Sequence, residues 1–479
     1  MKNLIKLLFA LGISASLQSA IAADLLEVYH HAQDSDQTYK QAQATYLSAK
    51  TTVGQTQASL LPNLGLTGSW TQTNTSYHYD NGYGGNSATS ANSNSAASAL
   101  ALNLTQTLFN WQQFKSLEQV KTTVKAAAAN YAAAAQDLIM RMASAYFAVL
   151  QAEDVVRFTD VQMRALNRQL QVATQRYQVG LDAITAVYDA QAQSDAMRAT
   201  YIQAQNSLSN QREALREITG QLYPNLYRLK DDFPLLTPNP TDINQWVETA
   251  EQQNLTLLAQ NFSTQAARQT IGVTSAQNYP TLQLSGAYGP TNTQQQVPGP
   301  KSTQYQTTTS YGVNLAMPIY AGGGINAQVQ QAQYNYQGAL AQLDLTHRTI
   351  VGNTRKAYLG IVAEISQIEA DRQAIKSAKS ALASNEAGYR VGTQTILNVL
   401  NAETTLYQAE TTYAQDRFNY VMNTLTLKQA AGTLNANDVV ALNQWLTNQP
   451  VVEEPEPVIK PLTKKLTHKA VKKHHRKVA

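Results

Sequence analysis

Seven histidines are the first candidates for chemistry, at positions 30, 31, 78, 347, 468, 474 and 475. Imidazoles hold zinc when a helix presents them at a spacing such as H-E-x-x-H, and none of these is so placed. His30 and His31 point in two directions on a helical pattern and are expected at the surface. His474 and His475 sit among lysines and read as part of a solvated tail. Cysteine is absent, which removes thiolate nucleophiles, thiolate metal sites and disulfides. Gly322-Gly323-Gly324 lacks the Gly-Lys-Ser/Thr of a phosphate loop, and no Gly-x-Ser-x-Gly elbow occurs. The sequence therefore predicts no enzyme, no metal site and no cofactor, and the glycine triplet is expected as a hinge between a strand and a helix.

The elements tell more. Lys2 and Lys6 precede the apolar run Leu7 to Ile13, and Ala20-Ile21-Ala22 places small residues before a cleavage point, so residues 1–22 read as a signal peptide. No later stretch reaches the ~18 apolar residues of a spanning helix. The chain is expected to leave the cytoplasm and to be periplasmic, secreted or inserted as a β-barrel. The formal net charge of +4 is misleading. Eight basic residues face three glutamates in the tail at 451–479, and with the signal lysines also set aside the body is acidic. A nucleic-acid partner is not expected.

Two segments align at an offset of 212 residues. Tyr177-Gln178-Val179-Gly180, with Ile184, Val187, Ala190, Thr200-Tyr201, Leu215 and Gly220, matches Tyr389-Arg390-Val391-Gly392, with Ile396, Val399, Ala402, Thr412-Tyr413, Leu427 and Gly432. Leu61-Pro62-Asn63-Leu64-Gly65-Leu66-Thr67-Gly68 parallels Tyr279-Pro280-Thr281-Leu282-Gln283-Leu284-Ser285-Gly286, and Leu102-Asn103-Leu104 parallels Val313-Asn314-Leu315. An internal duplication follows, with repeats at 23–220 and 243–450 about a Pro-rich connection at 221–242 and a disordered basic tail at 451–479.

Each half reads helix, strand, loop, strand, long helix, turn, helix. Leu64, Leu66, Gly68 and Trp70 alternate with small polar residues, as do Leu100, Leu102 and Leu104; the second half repeats this with Leu282, Leu284, Gly286, Tyr288 and with Tyr311, Val313, Leu315, Met317 and Ile319. The runs from Asn74 to Ser98 and from Pro290 to Thr309 read as long polar loops. Four strands cannot close a barrel, whose smallest bacterial form has about eight, so several chains are expected to share one. The long helices show heptad seams. The first runs Leu138, Met142, Ala145, Val149, Ala152, Val156, Thr159, Met163, Leu166, Leu170, Ala173, Tyr177. The second, shifted by 212, is less apolar because Glu364 and Asp371 interrupt it. Nearly 70 residues at ~1.5 Å each give helices of about 100 Å, too long for one compact core.

Signal, paired strands, duplicated halves and heptad helices together resemble the TolC family of outer-membrane efflux and secretion channels. The most telling pieces are Leu25-Leu26-Glu27-Val28-Tyr29, Leu61-Pro62-Asn63-Leu64, Met317-Pro318-Ile319-Tyr320 before Gly322-Gly323, and the two tips at Gly180 and Gly392. The resemblance implies a mixed α+β membrane protein: a homotrimer with a twelve-stranded outer-membrane β-barrel, four strands per chain, continued by a twelve-helix periplasmic α-barrel. It implies an exit duct for efflux or type I secretion, joined through a periplasmic adaptor to an inner-membrane efflux or ABC transporter. The tips Val179, Gly180, Leu181, Val391, Gly392 and Thr393 would receive the adaptor. The family pattern also places two carboxylates at Asn398 and Asn401, an arginine at Gln394 and an aspartate at Ala186, around the periplasmic gate. Here all four are uncharged, and Tyr389, Gln169 and Thr185 are left to offer neutral hydrogen bonds. A poreless coiled-coil protein of the envelope, structural or adhesive, is the alternative, but it gives no reason for matched strands opening onto long helices.

Overall fold

The structure is a computed structural model that describes residues 22–79, 89–296 and 301–448. The expected signal peptide, apart from Ala22, and the expected basic tail lie outside these residues. Asp24 caps α1 (Leu25–Ser35) by accepting the Glu27 amide. Asp36 then ends α1 and caps α2 (Gln37–Ala58). Arg141 donates two hydrogen bonds to the Asp36 carboxylate, at 2.8 and 3.0 Å, and this pairing holds the carboxyl below its ordinary pKa.

After α2 come β1 (Asn63–Tyr79) and β2 (Thr89–Asn110), then α3 (Trp111–Gln178) and α4 (Ile184–Thr219). The connection holds only a short strand, β3 (Arg228–Leu229). The succession then recurs as α5 (Ile243–Gln253), α6 (Leu255–Ser275), β4 (Thr281–Gln296), β5 (Ser302–Ala316), α7 (Gly324–Val391) and α8 (Ile396–Ala430), closing with α9 (Ala436–Asn443) and β6 (Leu446–Thr447). Gly322 and Gly323 take positive φ of 62° and 80° immediately before α7, so the expected hinge is present. The strand before it stops at Ala316, however, and does not reach Ile319.

The four long strands form one antiparallel sheet in the order β1-β2-β4-β5. Its register collects the alternating residues on one face: Leu64 lies opposite Leu104, Leu66 opposite Leu102, Leu102 opposite Tyr288, Leu284 opposite Val313 and Leu282 opposite Leu315. That face stands uncovered within the chain, with Leu66 and Leu315 both 67% exposed. No described helix is long and apolar enough to cross a membrane. The regions expected as long loops are mostly strand: β1 continues to Tyr79, β2 begins at Thr89, β4 reaches Gln296 and β5 begins at Ser302. Strands of 17, 22, 16 and 15 residues exceed the ~9–11 that a bilayer requires. Beyond the hydrocarbon both faces of a hairpin meet water. Apolar alternation then fades from the sequence while the hydrogen-bond ladder continues.

Both long helices have 68 residues, and each pairs with the helix after it along the expected seam. Met142, Val149, Ala152, Thr159, Leu166 and Ala173 are buried on α3, and Ile350, Thr354, Ala357, Ile361, Ile368, Asp371 and Ala378 on α7. Tyr177, the last residue of the first seam, is instead exposed where the helix turns. The larger core surrounds Tyr146, Phe147, Phe418, Tyr420 and Leu425. There the Tyr146 hydroxyl donates to Tyr227 O at 2.8 Å and β3 pairs with β6, tying the connection to the end of the described chain. Gly432 locks this region. Its φ is +75°, and an added Cβ would lie 2.2 Å from Gln253 O. Gly432→Ala is expected to cost about 3 kcal/mol, from left-handed strain plus overpacking, read as a lowered unfolding midpoint of the detergent-solubilised protein.

Candidate periplasmic gate and helix-tip surface

Each helix pair reverses at a glycine. Val179 ends α3, Gly180 takes φ +75°, and the Leu181 amide donates to Arg176 O at 2.8 Å. At the second tip Gly392 takes φ +85° and the Thr393 amide donates to Gly388 O at 2.9 Å. Both are left-handed helix endings that a side chain would strain. Around them Val179, Leu181 and Val391 are 70%, 65% and 75% exposed, Thr393 is exposed, and an added Cβ at either glycine meets open space. Six residues expected at the docking surface thus form two uncovered, partly apolar turns.

Behind the tips lies a second core of Leu166, Ala173, Ala190, Tyr389, Ile396, Val399 and Leu400, with Ala186 packed on it. Tyr389 is buried, and its hydroxyl finds a charged acceptor. It donates to Asp182 Oδ2 at 2.7 Å. Arg176 donates to the same carboxylate from Nε at 2.8 Å and from Nη2 at 3.1 Å, and its guanidinium lies 4.7 Å from the Tyr389 ring centre. Arg176 holds the Asp182 carboxyl below its ordinary pKa. Burial first, and then the bond to the Asp182 carboxylate, pushes the Tyr389 hydroxyl up. A charged latch therefore joins the α3–α4 turn to the end of α7. Its two charges flank Gly180 with opposite signs, where a reversing chain can return a carboxylate to a guanidinium; that spacing is the signal in the sequence for this pair.

The remaining expected gate residues are arranged differently. Asn398 and Asn401 are exposed on the first turns of α8. Asn398 Nδ2 donates to Gln394 Oε1, so this amide pair stays within its own tip and bridges no helices. The Gln394 side chain lies over Gly388, where an added Cβ would come within 2.5 Å of Gln394 Cγ. Thr185 is exposed at the start of α4 and Gln169 is half-buried on α3. The structure thus brings Tyr389 to the α3–α4 turn and Gln394 to Asn398, and leaves Thr185 and Asn401 facing outward.

Comparison with known proteins fits this arrangement. The sequence profile of the outer membrane efflux protein family matches residues 28–221 and 246–433. The outer membrane protein TolC of Escherichia coli K12 is 39% identical over 466 residues, covering 96% of this chain and 92% of that protein. The Pseudomonas aeruginosa alkaline protease secretion protein AprF is 24% identical over 455 residues, covering 92% and 90%. Among solved structures, the outer membrane protein VceC of Vibrio cholerae superposes with a TM-score of 0.68 at 21% identity, over 85% of this chain and 96% of that one. The outer-membrane channel OprN superposes at 0.70 and 18%, over 86% and 90%. By its matched profile and its relatives, the chain belongs to the outer membrane efflux protein family.

Proposed function

We propose that three copies of this chain form a passive exit duct across the outer membrane, carrying cargo delivered by an inner-membrane pump through a periplasmic adaptor. The observation that carries this reading is the four-stranded sheet: one apolar face is uncovered, and β1 and β5 each present an unpaired edge within the chain. In hydrocarbon every unpaired backbone group costs several kcal/mol. Joining β5 of one copy to β1 of the next removes all edges, and three copies give a twelve-stranded barrel continued by twelve helices. The recurring element order supports the duplication, with repeats at 23–220 and 243–450. The relatives include proteins named for efflux and for protease secretion, so both cargo classes suit the duct, and it acts by conduction and not catalysis. Light scattering in detergent is expected to give a trimer, and planar bilayers to show pores. A monodisperse monomer with intact strand signal would overturn the reading.

Within this duct, Asn398 and Asn401 of three copies form two neutral amide rings at the periplasmic entrance. A like-charge pair ~7 Å apart is worth about 0.6 kcal/mol in water and about 2.4 kcal/mol at an effective dielectric of 20. Six carboxylates at these positions would hold multivalent cations; six amides do not. Wild type is expected to show little block by multivalent cations from the periplasmic side, and Asn398→Asp with Asn401→Asp strong block, in single-channel recordings. Asp189, exposed on α4, is the residue to neutralise next if wild type is blocked.

A further inference from the structure

The two interruptions in the second heptad seam, Glu364 and Asp371, have no part in the duct as described, and the structure places Asp371 among other polar groups. Asp371 is 7% exposed. Gln367 Nε2 donates to its Oδ1 at 3.0 Å, while Oδ2 is buried without a hydrogen-bond donor. The carboxyl of Asp416, across the seam on α8, lies close enough to Asp371 for the two groups to act on each other directly. Two ionised carboxylates have no hydrogen atom to share, so a hydrogen bond between them requires a proton. Nearer the tip, thirteen residues before Asp416, Glu403 on α8 is 6% exposed, just beyond the apolar residues Val399 and Leu400.

The α3–α4 pair supplies an internal comparison. At the offset of 212, the residues matching Glu364, Asp371, Glu403 and Asp416 are Ala152, Thr159, Gln191 and Ala204. All four are uncharged. Thr159 satisfies its buried hydroxyl by donating to Val155 O at 2.6 Å and bonding Tyr407 at 3.1 Å. One plan therefore carries neutral side chains in the first half and carboxylic acids in the second.

We infer that the α7–α8 seam is closed by bound protons: Asp416 carries the proton it donates to Asp371, Glu403 is seated as the neutral acid, and loss of these protons loosens α7–α8 while leaving α3–α4 unchanged. This rests on the seam alone and is independent of the duct. Burial, then the bond to Asp371 and the Asp371 charge, pushes Asp416 up to about 6. Burial, then the Glu386 charge, pushes Glu403 up to about 7, against Arg168. Glu364 is raised by burial and by the charges of Asp416 and Asp371.

Several of the surrounding charges are held by other partners. On α7, Arg372 Nε donates to the Tyr413 hydroxyl, and Lys379 pairs with Glu410 of α8. Beside Asp416, Arg417 reaches Asp231 and donates to Lys230 O, and Asn419 donates to Asp416. On α3, Glu153 is held by Arg212 and Arg228, and Asp154 by Arg157. On α4, Asp189 and Asp195 are exposed, the latter accepting from Gln191. A raised acid favours the packed pair while neutral. That contribution is complete below the ordinary carboxylate range and is lost as pH rises through about 6 for Asp416 and about 7 for Glu403.

The test is amide hydrogen exchange of the detergent-solubilised protein, corrected for the chemical exchange rate, between about pH 5.5 and 7.5. Protection of α7–α8 is expected to fall about tenfold as pH rises, with α3–α4 unchanged. Asp371→Thr with Asp416→Ala and Glu403→Gln installs the residues of the first pair and is expected to abolish the difference. A flat wild-type profile, an equal change in α3–α4, or dependence surviving the three substitutions overturns the inference. Infrared spectra of wild type need no variant to fold: a protonated-carboxyl band present at mildly acid pH and lost at alkaline pH is expected, and its absence is equally fatal.

Discussion

Asp182→Ala is expected to open the periplasmic end of the duct. The substitution removes the acceptor for both Arg176 and Tyr389 at once. A hydrogen bond to a charged group contributes about 1.5–3 kcal/mol. Because Arg176 and Asp182 keep 21% and 14% of their side-chain surface in water, the lower end applies, about a tenfold shift toward the open form per copy. Three copies acting together would multiply this to about a thousandfold. The expected readouts are a larger single-channel conductance and sensitivity of cells to a large hydrophilic antibiotic. Tyr389→Phe keeps the ion pair and should give a smaller effect in the same direction. Because the Asp182 pKa is lowered, the latch is complete above the ordinary carboxylate range and is lost only as pH falls through its depressed value. Unchanged conductance in the Asp182→Ala, Tyr389→Phe double variant would remove the latch from the mechanism.

Bulky residues at Gly180 and Gly392 are expected to abolish efflux while the trimer still assembles. Both tips sit in open space, so the cost to the fold is the left-handed strain alone, about 1–2 kcal/mol for each. The cost to a partner is larger, since the new side chain would stand among Val179, Leu181 and Val391, where a docking hairpin would have to lie. Gly432 marks the contrast: the same positive φ there is enclosed by the backbone of Gln253, and substitution acts on folding. Normal drug resistance with both tips substituted would argue against adaptor docking at this surface.

These sites differ in how much of them the sequence discloses. The strand faces were readable because lipid and lumen impose opposite polarities on alternate residues, and the register places Leu66 beside Leu102 as that alternation requires. The same reasoning ended the strands too early, since past the membrane nothing distinguishes the two faces. The glycine tips were readable from helix-ending chemistry. The tyrosine arm of the latch is hidden in the sequence, because Asp182 and Tyr389 are 207 positions apart and meet only once the two helix hairpins lie side by side. Asp371 and Glu364 interrupt the heptad pattern, but Asp416, on α8, becomes the partner of Asp371 only through the α7–α8 packing.

The pairing of β2 with β4 also has a consequence for how the molecule is made. The β1–β2 and β4–β5 hairpins close over short spans of chain, whereas the β2–β4 ladder joins residues such as Leu104 and Gly286. Local ladders form quickly; those spanning nearly two hundred residues await loop closure and slow the search. A newly exported chain should therefore pass through a stage with two finished hairpins, each with a bare apolar face, before any four-stranded sheet exists. Such species aggregate readily. Pulse-labelled hydrogen exchange during refolding into detergent should then protect the two hairpin ladders first and the β2–β4 amides later, with the rate of that second step independent of protein concentration and only the joining of copies dependent on it.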